Sequence, residues 1–162
     1  MTHNLLIIGH ALAGVVSFAA GGLSLSLTTT RTWRFHTYLV SLVAMVVLMV
    51  GAVAWDWRDI ESATKAIYLV LVGLGLIMVV RAFGAAARIR RRDGNWQSRY
   101  IDGVGFTLIS LFEGFIIVAA IDLDAQPWLV VLIAVAGVVG GVWAKNRAKH
   151  HIIGRPVNSA RA

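Results

Sequence analysis

The 162-residue chain is 58% hydrophobic and 14% charged, with a mean hydropathy of +0.75, which is more apolar material than a soluble domain of this size can bury. It has no cysteine, so disulfides, thiolate catalysis, iron–sulfur clusters and thiolate-held zinc are excluded. The net charge of +7 lies in short loops between apolar segments, where membrane orientation accounts for it, and no nucleic-acid partner is expected.

Five apolar segments, about 5–27, 37–54, 66–83, 101–121 and 128–144, each approach the roughly 20 residues that a spanning helix needs. The sequence therefore predicts an all-α polytopic bundle of five transmembrane helices. The leader Met1-Thr2-His3-Asn4 lacks the Lys or Arg that opens a secretory signal, so the first helix is expected to be retained. Short cytoplasmic loops keep Lys and Arg. The first loop carries Arg31 and Arg34, the third Arg88, Arg90, Arg91, Arg92 and Arg99, and the tail Lys145, Arg147, Lys149, Arg155 and Arg161. The second loop, with Asp56, Asp59 and Glu61 against Arg58 and Lys65, and the fourth, with Asp122 and Asp124, fall on the other side. The N-terminus is then outside and the C-terminus cytoplasmic, in a bacterial cytoplasmic membrane. Trp33, Trp55, Trp57, Trp128 and Trp143 fall near predicted boundaries, where indole prefers the headgroup level, while Trp96 sits mid-loop among arginines. Pro127 suits the first turn of helix five, and Pro156 lies in a basic tail, 145–162, expected to be flexible and drawn to anionic lipid.

In helix one, His10, Gly14, Ser17, Gly21 and Ser24 fall on one stripe. Small residues permit close helix approach, so this stripe is expected to face protein; a tight seam with a satisfied histidine is the simpler reading beside a functional one. In helix four, Asp102, Ser110 and Glu113 share a face with Phe106. Glu113 lies deep enough that an unpartnered carboxylate would cost several kcal/mol, and it calls for a partner, water or a proton. Depth alone makes a His10–Glu113 pair feasible in the outer half. It places Arg81, His36 and Asp102 near the inner surface, where Arg81 either pairs with Asp102 or snorkels to phosphate. Helix five carries Gly137-x-x-x-Gly141 and the offset Ala136-x-x-x-Gly140-x-x-x-Ala144, suited to close packing within the chain or between copies.

No Walker A run, H-E-x-x-H, G-x-S-x-G or EF-hand loop occurs. Gly73-x-Gly75 lacks a third glycine and a preceding strand, so it is no dinucleotide site. A bis-His haem would need a second ligand at the depth of His10 or of His36, for which only His3 outside, or His150 or His151 inside with the tail folded back, would serve. No cofactor and no metal site is predicted. His10 in a Gly-rich first helix, Arg31-Thr-Trp-Arg-Phe-His36 entering the second and the Arg-rich loop after the third together resemble bacterial predicted multi-helix membrane proteins of unknown function. The resemblance covers about half the chain and implies no activity.

The expected function is an ion, proton or polar-solute pathway along the stripe of helix one and the Asp102–Ser110–Glu113 face of helix four. The alternative is an accessory or assembly subunit of a larger membrane complex, docking through helix two and the Gly137–Gly141 face. A haem-binding or lipid-handling protein, with His10 and Glu113 as its acid–base pair, comes last. Membrane lipids are the expected partners, and a pathway through so small a chain would be built most easily by a homo-oligomer.

Overall fold

A computed structural model describes residues 2–26, 32–58, 62–91, 96–123 and 126–153. It is all-helical: α1 Thr2–Ser26, α2 Thr32–Trp55, α3 Ser62–Arg91, α4 Trp96–Asp122 and α5 Pro127–Ile153. All five helices are long and apolar enough to cross a membrane. Each predicted segment lies on one of them. The helices outrun the apolar runs, most of all α3, which continues from Phe83 to Arg91, and α5, which continues from Ala144 to Ile153. Hydropathy marks where hydrocarbon ends, whereas Ala, Arg and Lys at those ends are good helix formers that carry the backbone hydrogen bonding onward.

Side-chain exposure follows from lipid as the solvent. Leu5, Val40, Val70, Val80 and Val131 are all well exposed, an arrangement that water would not tolerate over five helices. Trp33 and Trp55, both exposed, lie at the two ends of α2, about 33 Å apart at 1.5 Å per residue, close to the roughly 30 Å of a hydrocarbon core. Hydroxyls within the helices are turned back onto carbonyls of the preceding turn: Thr37 Oγ1 donates to Trp33 O at 3.0 Å, Ser41 Oγ to Thr37 O at 2.7 Å and Thr107 Oγ1 to Gly103 O at 3.3 Å. This satisfies them without water.

The chain divides into two compact units, Met1–Phe83 and Gly84–Ala162. In the first, α1 packs on α2, and Gly75 of α3 lies so close to α2 that a Cβ there would be 3.0 Å from Val46 Cγ2. In the second, α4 packs on α5. Arg31, Asp59, Glu61, Arg92, Asp124, Arg155, Pro156 and Arg161 lie outside the described residues, as do the side chains of His3, Arg90, Arg91, Asp122 and His151.

Candidate functional site

The α4–α5 seam is antiparallel and steps by four residues on both helices. Glu113 faces Gly137, Ile109 faces Gly141, and Gly105 faces Lys145. A Cβ on Gly141 would be 2.7 Å from Ile109 Cγ1, and one on Gly105 would be 2.9 Å from Lys145 Cγ. Each missing side chain is thus the hole that a larger one fills, so ridges of i, i+4 residues interlock along the seam. The Gly137–Gly141 motif is thereby engaged within the chain. The offset stripe is not: Ala136, Gly140 and Ala144 are exposed, and a Cβ on Gly140 would meet nothing within 4 Å.

Glu113 is the exceptional member of this seam. It is 8% exposed, and neither carboxyl oxygen has a hydrogen-bond partner among the described residues. Its Oε1 occupies the place where a Gly137 side chain would begin. The carboxyl therefore sits in a notch on α5 at Gly137, about 13 Å along α4 from Asp122. Ser110, half-buried, precedes it by three residues on α4.

At the other end of the seam, the Asp102 carboxylate takes Lys149 Nζ at 2.8 Å and Lys145 Nζ at 3.2 Å. Both lysines belong to the stretch 145–162 that composition predicts to be a flexible tail. Because α5 remains helical through them, they lie one turn apart on the face toward α4. Asp102 is 39% exposed, and Arg88 Nη1 donates to the Arg99 carbonyl at 3.5 Å. Arg81 is exposed on α3.

In the first unit, the predicted stripe of α1 is turned inward. Gly14, Ser17, Gly21 and Ser24 are buried and His10 is half-buried. His10 Nδ1 lies 2.9 Å from Met45 O. A carbonyl only accepts, so Nδ1–H is the donor in this contact. Ser17 Oγ donates to Tyr38 O at 3.5 Å, which places both contacts seven residues apart on each helix, the spacing of a heptad seam. Gly9 and Gly51 admit Leu48 and Leu6 along the same seam. Ser24 donates to Gly21 O at 2.7 Å within its own helix. His36 is exposed and lines a shallow groove with Val16, Trp33 and Val40. His10 thus has Met45 as its hydrogen-bond partner, and Glu113 has none among the described residues.

Among the described residues, no three His, Cys, Asp or Glu side chains gather as metal ligands would. Glu113 and Gly137 stand out separately in the sequence, by depth and by spacing, without their meeting being evident. The signal was there in the four-residue spacing Gly105, Ile109, Glu113 on one helix and Gly137, Gly141, Lys145, Lys149 on the next. No known protein family, curated protein or solved structure matches the chain.

Proposed function

We propose that this chain forms a proton pathway across a bacterial cytoplasmic membrane, with Glu113 as the group that takes up and releases the proton. The observation that carries the reading is a carboxyl buried at 8% exposure with both oxygens unbonded among the described residues. Buried polar groups are ordinarily paired, and exceptions concentrate where chemistry happens. A metal cation would ask for several oxygen ligands at once. A proton needs a single carboxyl. The Gly137 notch seats the side chain, and Asp102 with its two lysines supplies a charged cluster at the opposite end of the same seam. The basic loops orient the chain with its N-terminus outside and its C-terminus in the cytoplasm. Reconstituted into proteoliposomes with an imposed pH gradient, the protein is expected to dissipate the gradient. Glu113→Gln, which keeps shape and removes the exchangeable carboxyl, should lower that flux at least tenfold with the melting profile preserved.

A second reading, an accessory subunit of a larger complex, draws on a different observation. Gly137 and Gly141 are consumed inside the chain, but Ala136, Gly140 and Ala144 form an exposed small-residue stripe suited to another helix. Gly140→Leu would then release a co-purifying partner in mild detergent, and an unchanged set of subunits would dismiss this reading.

A further inference from the structure

The inner end of α5 presents two different basic faces. Lys145 and Lys149 point to α4 and are engaged by Asp102. Trp143, Asn146, Arg147 and His150 point away from that pair and line a shallow groove of about 500 Å³. Arg147 lies over the Trp143 ring at 5.4 Å, a cation–π contact that holds the guanidinium beside the indole with its N–H groups still available. Trp143 is itself 63% exposed.

The same helical face continues into the apolar part of α5 as Leu132, Val135 and Val139, all exposed. From Leu132 to Trp143 is about 16 Å at 1.5 Å per residue, close to half of a hydrocarbon core about 30 Å thick. One face therefore offers, in order, a hydrocarbon ridge one leaflet long, an interfacial aromatic residue and a cationic groove. Favourable interaction with the helix C-terminal dipole accounts for basic residues at this end. It does not account for their alignment above an exposed apolar ridge, nor for the indole against Arg147. A freely diffusing anion would use only the groove, whereas an amphiphile with a negative head uses the whole face.

We infer that this face of α5 binds an anionic phospholipid, its phosphodiester on Arg147 and His150 and an acyl chain along Val139, Val135 and Leu132. The headgroup is one that brings no cation of its own, since a choline or ethanolamine would compete with Arg147 for the phosphate. Planar guanidinium and phosphodiester match as a two-pronged hydrogen-bonded pair. The inference stands on the spanning character of α5 and is independent of the proton pathway.

The test is native mass spectrometry of the intact protein in neutral detergent, supplied with equal amounts of phosphatidylglycerol and phosphatidylcholine of identical chains. Preferential retention of one phosphatidylglycerol is expected, reduced about five- to tenfold in Arg147→Gln, reduced less in Arg147→Lys, and unchanged in Arg58→Gln, a basic residue just after α2 that is not part of this face. Inorganic phosphate should not displace the lipid. Equal retention of the two lipids, an equal loss in Arg58→Gln, or displacement by inorganic phosphate would each overturn the inference. So would a dimer dissociated by Arg147→Gln with no change in bound lipid, which would assign the face to a second copy.

Discussion

Gly137 and Gly141 lie one turn apart on the same helix and do different work. Gly141 makes room for the branched carbons of Ile109, a packing role, whereas Gly137 makes room for the carboxyl of Glu113. An alanine at either position crowds its neighbour, and overpacking of this kind costs about 1–3 kcal/mol. The two substitutions should therefore be similar in thermal stability and different in function. Gly137→Ala is expected to displace the Glu113 carboxyl and cut proton flux several-fold, while Gly141→Ala lowers the melting temperature with flux largely kept. Equal flux in the two variants would reduce Gly137 to a packing residue. Sequence could identify Glu113 by depth and the glycines by spacing. It could not show that they meet, because helical face and depth do not fix which helices are neighbours.

Two seams with different periods hold the neighbouring helices together. Between α1 and α2 the contacts recur every seven residues, with His10 on Met45 O and Ser17 on Tyr38 O; between α4 and α5 they recur every four, with glycine opposite a larger side chain at each step. The first depends on side-chain donors reaching backbone oxygen, the second on absent side chains. Apolar runs made all five helices legible, since nothing else explains so much exposed Leu and Val. The helix ends were not legible from hydropathy: the turns bearing Lys145 and Lys149 look like a soluble tail until Asp102 is placed opposite them. Removing that carboxylate tests their order. Asp102→Asn should leave global stability within about 1 kcal/mol, because the ion pair is partly exposed, yet speed tryptic cleavage at Lys145 and Lys149 as the last turns of α5 fray. Unchanged cleavage would show that α5 keeps its last turns without the ion pair.

At the scale of the molecule, polar chemistry is sparse and unevenly shared between the two units. In the first unit the hydroxyls of Ser17 and Ser24 and Nδ1 of His10 each have a carbonyl partner. The second leaves Glu113 open at one place on its seam and gathers charge at the end. The proposed chemistry centres on Glu113 of α4 and the Gly137 notch of α5 that receives it, whereas the sequence alone divides it between helix one and helix four. The direct measurement is proton flux into proteoliposomes of defined lipid composition, comparing the native chain with Glu113→Gln at matched protein incorporation and equal melting temperature. A gradient dissipated by the native chain and held by Glu113→Gln is the predicted result. Equal rates in both, or no flux above protein-free vesicles in either, would contradict the account.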